Sequence, residues 1–176
     1  MISEEFTALE ALGIAIRREI DAQEFYKVLA DFCKDELLKD KFMSLYHEEI
    51  KNQKLLEKMY KNMFPDVKLV LPESKLPKEV IEGETRRKKP GIKDILHLAI
   101  NEERESREFY LTCAEKANDL SGKRMFRVLA GMKFSHLAIL NTELELLEKY
   151  PAYIEGQQPW EVESRLRTDK IKRRVK

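Results

Sequence analysis

Residues 12–26 read LGIAIRREIDAQEFY, and residues 96–110 read LHLAINEERESREFY. At this offset of 84 the chain aligns on itself without a gap, so that Leu12, Ala15, Ile16, Glu19, Glu24, Phe25 and Tyr26 repeat as Leu96, Ala99, Ile100, Glu103, Glu108, Phe109 and Tyr110. Farther along, Phe42, Leu45 and Leu56 repeat as Phe126, Leu129 and Leu140. Two positions between those anchors break the match: Glu49 falls on Lys133, and Asn52 falls on His136.

The spacing inside the repeat is helical. Leu9, Leu12, Ile16, Glu19, Gln23, Tyr26, Ala30 and Cys33 recur every three or four residues and mark one face of a first helix. A second stripe, preceded by Asp35 as an N-cap, runs through Phe42, Leu45, Glu49, Asn52, Leu56, Met59 and Met63. The third stripe runs from Leu96 through Glu103 and Tyr110 to Ala117, and the fourth from Phe126 through Lys133 and His136 to Leu147. Asn118, Asp119, Ser121 and Gly122 separate the last two and supply caps. At 1.5 Å per residue such helices are about 40 Å long, a length typical of bundles.

The short links predict two antiparallel helical hairpins, over 3–64 and 92–149. A crossover at 65–91, containing Pro65, Pro72, Pro77 and Pro90, joins them. Within it Val67–Leu71 reads as extended, and Arg86–Lys89 is a basic run expected to be solvated. The periodicity stops after Tyr150–Pro151. The expected organisation is therefore one bundle domain, 1–150, followed by an extension, 151–176, in which Tyr153, Trp160 and Val162 could dock on the bundle or a second subunit.

Composition narrows the function classes. The 176 residues are 43% apolar and 37% charged, with 33 basic against 32 acidic residues, so no global charge points to nucleic acid or a membrane. No apolar run reaches the roughly 18 residues of a spanning helix. The acidic N-terminus lacks a signal-peptide pattern, and the expected location is the cytoplasm. Cys33 and Cys113 form no CxxC motif and read as buried small hydrophobes. Abundant Glu and Lys with few Gln and Asn lean toward a thermophilic source.

Glu19, Glu49, Asn52, Glu103, Lys133 and His136 all lie on core stripes. Successive helical residues turn by about 100°, so Tyr26 lies on the same face as Glu19, and Tyr110 on that of Glu103. Glu24 points away, as do His47 and His97. A buried carboxylate without a partner is costly. Three on three helices at one depth call for cations, and a metal ion is the usual solution.

This pattern resembles the ferritin-like di-iron carboxylate proteins, and the Glu-Phe-Tyr phrasing of both halves is most similar to the rubrerythrin type, here without a rubredoxin domain. The resemblance spans residues 3–149. It implies an all-α, ferritin-like four-helix bundle, a homodimer or larger homo-oligomer, and iron as the cofactor, as one or two ions, with zinc or manganese as alternatives. It implies terminal metal ligands at Glu19 and Glu103, a bridging ligand at Glu49 and an imidazole ligand at His136. Tyr26 and Tyr110 match tyrosines that hydrogen-bond to ligand carboxylates, and they are the candidate catalytic proton donors. Asn52 stands where a second histidine belongs, and Lys133 where a second bridging glutamate belongs.

The implied activity is oxidoreduction, with peroxide or dioxygen as the oxidant. With no rubredoxin module, electrons would come from an external donor protein. The alternatives are a mononuclear metal-binding protein and a non-catalytic bundle with a structural or partner-binding role. Three carboxylates and one ammonium leave two negative charges, which balance one divalent ion rather than two. Glu49, Glu103 and His136 could hold that ion, while the Lys133 ammonium, held by Glu19 and Glu49, stands in for the other. Arg107, four residues after Glu103, is a competitor for that carboxylate.

Overall fold

Residues 7–74, 76 and 91–151 are described by the structure, a computed structural model. They contain four helices: α1 (Ala8–Phe32), α2 (Glu36–Met63), α3 (Ile92–Lys116) and α4 (Leu120–Lys149). The architecture is an all-α four-helix bundle of the ferritin-like kind, as the periodicity and the resemblance imply. The basic run at 86–89, residues Tyr153, Trp160 and Val162, and nearly all of the expected extension lie outside the described residues.

Capping fixes where the helices start. Thr7 and Glu10 form a reciprocal capping box at α1. Asp35 accepts from the Leu38 N–H at 2.9 Å, and Asp119 from the Gly122 N–H at 2.7 Å. Each satisfies a backbone donor that the first turn leaves without a partner. Three residues, Cys33 to Asp35, link α1 to α2, and these two helices pack along each other, as do α3 and α4.

The hairpins meet with α1 antiparallel to α3. Tyr26 reaches Glu103 and Tyr110 reaches Glu19, so the two helices ascend in opposite directions. α2 is likewise antiparallel to α4, joined by Lys133 to Glu49 and by Lys41 to Glu143. α2 and α3 are then parallel, and the connection between them must traverse the bundle. Its described part climbs along α1. The Arg17 Nε–H donates to the Pro72 carbonyl at 2.9 Å. Gly13 admits the strand of chain closely: a Cβ there would lie 3.4 Å from the Val70 carbonyl oxygen. Val67–Leu71 has no ladder partner among the described residues and remains irregular.

The core is split in two. One apolar cluster contains Leu12, Ile16, Leu56, Tyr60, Phe126 and Leu129. The other contains Phe25, Leu29, Phe42, Leu45, Ile100 and Leu140. Between them lies a layer of buried polar residues. Cys33 and Cys113 are buried free thiols packed in the two clusters. Burial pushes them up to about 12 and about 11, so they are unreactive at neutral pH. Among the described residues no helix is long and apolar enough to cross a membrane.

Candidate metal centre

The polar layer follows directly from the four stripes. Each helix is apolar above and below one inward polar turn, and the bundle stacks these turns at one level. Glu19, Glu49, Asn52, Glu103, Lys133 and His136 are all buried there.

Lys133 is the hub. Its side chain is 0% exposed, so it does not snorkel to solvent. Its Nζ lies 2.8 Å from Glu49 Oε2, 3.2 Å from Glu19 Oε1 and 3.5 Å from Glu103 Oε2. Spacing pointed to the first two carboxylates, and the structure adds the third. Asn52 donates its Nδ2–H to Glu49 Oε2 at 3.3 Å.

The opposite oxygens of Glu49 and Glu103 face His136. Its Nδ1 is 2.8 Å from Glu49 Oε1 and 3.7 Å from Glu103 Oε1. One donor atom from each of Glu49, Glu103 and His136 lies within 4.8 Å of the others. His136 Nε2 is held by Glu48 Oε2 at 3.1 Å, which leaves Nδ1 as the atom presented to the centre. Glu48 sits about 100° around α2 from Glu49, off the core stripe, and only its long reach across to α4 brings it into play.

The tyrosines bond crosswise. Tyr26 donates to Glu103 at 2.8 Å, and Tyr110 donates to Glu19. Each shares a helix face with the glutamate seven residues before it. Seven residues span about 10 Å along the axis, too far for a hydrogen bond. The antiparallel α1–α3 contact supplies the nearer glutamate from the other half. Arg107 does not take the Glu103 carboxylate; it pairs with Glu108 at 2.8 Å and lies over the Phe134 ring. His47 and His97 are exposed, as expected.

The protonation pattern differs from the simple charge count. Burial raises Glu19 to about 8, against the pull of Lys133. Burial also opposes ionisation of Glu49 and Glu103, but Lys133 and His136 outweigh it and hold both below the usual carboxylate range. Burial works against a charged His136, yet its bonds to Glu103 and Glu49 raise it to about 10. The three carboxylates raise Lys133 well above lysine's usual value despite burial. Burial and the adjacent carboxylates push Tyr26 and Tyr110 far upward, so both phenols stay protonated. At neutral pH two carboxylates thus face two cations, and a third is neutral. The layer balances itself where the sequence count left two negative charges, because that count took Glu19 as ionised and His136 as neutral.

A pH dependence follows for the metal-free protein. Glu19 and His136 are both raised on folding, from ordinary values of 4.5 and 6.5. Their stabilisation is complete below those values and is lost as pH rises through about 8 and about 10. Glu49 and Glu103 act oppositely, losing theirs as pH falls below 4.5. Thermal melts in the presence of chelator should therefore peak in mildly acidic solution and fall steadily toward pH 10. A flat profile between pH 6 and 10 contradicts this pattern of protonation.

The residues fit a metal ion. Glu19 Oε2 is buried with no hydrogen-bond partner, and Glu49 Oε1, Glu103 Oε2 and His136 Nδ1 meet only the charged groups beside them. Buried polar atoms of this kind need an explanation, and a ligating role is one. Two carboxylates and one imidazole suit iron, zinc or manganese. The cluster is compatible with metal binding.

A rubrerythrin family model matches residues 10–154. A hypothetical protein from Pyrococcus furiosus is 35% identical, with 85% of this chain and 95% of that chain covered at a TM-score of 0.72. An uncharacterised conserved protein from Magnetospirillum magnetotacticum MS-1 shares the fold at 23% identity, with 80% and 95% covered and a TM-score of 0.57. No curated protein matches the chain. A family model that spans nearly the whole described bundle settles membership: the chain belongs to the rubrerythrin family.

Proposed function

We propose that the protein binds one divalent metal ion, iron by family precedent, through Glu49, Glu103 and His136, and that Lys133 takes the place of a second ion. One observation carries this reading. The carboxylates of Glu49 and Glu103 each turn one oxygen toward the Lys133 ammonium and the other toward His136 Nδ1. A carboxylate that would bridge two cations thus has a permanent cation on one side and a ligand-lined position on the other. Lys133 also repels a second ion and satisfies the oxygens that would bind it.

The ion would supply Lewis acidity or a single-electron couple at a site walled by two apolar clusters. Tyr26 and Tyr110 hold the carboxylates of Glu103 and Glu19 in place and are the protonated groups nearest them. Reduction of peroxide to water takes two electrons, and a lone iron exchanges one per step. That favours a mononuclear metal protein over a two-iron peroxidase. The oxidoreductase reading, with Tyr26 and Tyr110 as proton donors and an external donor protein, is the second one. The tyrosine bonds to the carboxylates are what favour it.

Metal content per chain tests the proposal. After anaerobic loading with ferrous iron and removal of excess, one ion per chain is expected, falling below about one-tenth with His136→Ala. The layer stays neutral on loading only if Glu19 and His136 give up their protons. Uptake near pH 7 should therefore release about two protons per ion. Two tightly held irons with fast peroxide-driven oxidation would instead support the second reading. No uptake, with an unchanged melting temperature, would leave the bundle a structural or partner-binding one.

A further inference from the structure

A buried ligand set needs a path from solvent. Glu19, Glu49, Asn52, Glu103, Lys133 and His136 are each at most 4% exposed, and Tyr26 and Tyr110 are buried with them. Of the described residues that hydrogen-bond or ion-pair to this layer, Glu48 alone reaches solvent. Its side chain is 44% exposed, and its Oε2 lies 3.1 Å from His136 Nε2.

The two seams between the hairpins are built differently. Where α1 meets α3, the residues four before and three after each glutamate are small and buried: Ala15, Ala22, Ala99 and Ser106. Small residues let helices approach closely, and α1 and α3 pack along each other. The matching positions around Glu49 and Lys133 are Leu45, Asn52, Leu129 and His136. All four are larger, and α2 and α4 do not pack along each other in that way. Long side chains span the space between them, from Lys133 to Glu49 and from Lys41 to Glu143.

The edges of the seams differ too. Arg18 and Glu102 each precede a layer glutamate by one residue, and they pair at 2.7 Å. Arg18 also bonds Ser106, and the described crossover lies along α1, so the α1–α3 side is closed. The matching edge positions of α2 and α4 are Glu48 and Met132. Methionine cannot neutralise a carboxylate, and the bond of Glu48 goes to His136 instead.

We infer that a divalent ion enters the layer from the α2–α4 side and that Glu48 is its first ligand there. The inference rests on the metal reading above. The His136 ring stands between Glu48, at Nε2, and Glu49, at Nδ1. An ion taken by the Glu48 carboxylate displaces the imidazole from it. Rotation of the ring then lets the ion pass to Glu49 and Glu103, and Glu48 takes back Nε2. Half-buried Met132, one turn before His136, is an unbranched side chain that yields readily to such a passage. Glu48 is a ligand in transit and no part of the final set.

Stopped-flow mixing of the full chain with cobaltous ion, read by its visible absorption, tests this. Glu48→Gln keeps an acceptor for the Nε2–H and removes the charge, so uptake should slow roughly tenfold or more. Glu48→Lys, which repels the ion, should slow it further. Glu105→Gln removes a carboxylate that is 63% exposed on the α1–α3 side, and uptake should stay within about twofold of wild type. An uptake rate in Glu48→Gln within about twofold of wild type overturns the inference, since Glu48 would then only steady the imidazole. Equal slowing by Glu48→Gln and Glu105→Gln overturns it as well, for the effect would then be one of overall charge. A wild-type chain that takes up no ion even after prolonged dialysis overturns the metal reading itself, and this inference with it.

Discussion

Lys133→Met should lower the melting temperature of the metal-free protein by about 10 °C at pH 8, the expected result of about 3 kcal/mol lost in a chain of this size. Methionine keeps the length and most of the volume of lysine, so the substitution opens little cavity. What it removes is the cation that Glu19, Glu49 and Glu103 share at 2.8 to 3.5 Å. His136 then remains as the single positive group in contact with Glu49 and Glu103. Breaking a buried pair from one side is costlier than the pair was worth, because the surviving charge stays in a medium that cannot solvate it. The loss should shrink at pH 5, where the carboxylates can take up protons instead. A divalent ion should recover much of it, since the variant has lost the group that repels one. A lysine that merely lay along the surface would shift stability by no more than about 0.5 kcal/mol. A drop of a degree or two at pH 8 would therefore remove Lys133 from the centre of the layer.

The bundle and the membership of its polar layer were legible from residue spacing; the wiring of that layer was not. Helical phase placed Glu19, Glu49, Glu103, Lys133 and His136 inward, and they are buried together. Phase carries no information about which neighbouring helix stands opposite, so it relates Tyr26 and Tyr110 only to the glutamates on their own helices. The antiparallel meeting of α1 and α3 decides that pairing, and it is a tertiary fact. Glu48 carries no such signal, because its backbone position is off the stripe while its side chain is long enough to reach His136. Protonation was also out of reach, since Glu19 and His136 owe their shifts to burial and to neighbours on other helices.

One signal was present and could have been used further. Glu49 and Lys133 are separated by 84 residues, as are Arg18 and Glu102, which pair at 2.7 Å. Arg18 also bonds Ser106 and lies over the Phe109 ring, which fastens α1 to α3. Residues at equivalent positions of two related halves meet when they lie near the axis between them. Identical charged residues there would repel. An opposite-charge mismatch at one repeat position is therefore a contact prediction in its own right.

Lys133→Glu combined with Asn52→His should raise the bound divalent metal from one ion to two per chain. The double change replaces the built-in cation with a fourth carboxylate and the amide that now bonds Glu49 with a second imidazole. Four carboxylates neutralise two divalent ions in the low-dielectric layer, whereas three with an ammonium neutralise one. Asn52→His alone should leave the count at one, because the ammonium still occupies the second position. Metal-free, the double variant should be less stable than wild type, for four buried carboxylates then share no lysine. With metal it should gain more than wild type does, because each ion held at 100 times its Kd adds about 2.7 kcal/mol. Elemental analysis after removal of excess metal, alongside melts with and without chelator, reads both effects. A count that stays at one while circular dichroism shows the helices intact would mean that charge does not limit the occupancy. The geometry around the Lys133 position would then be what forbids the second ion.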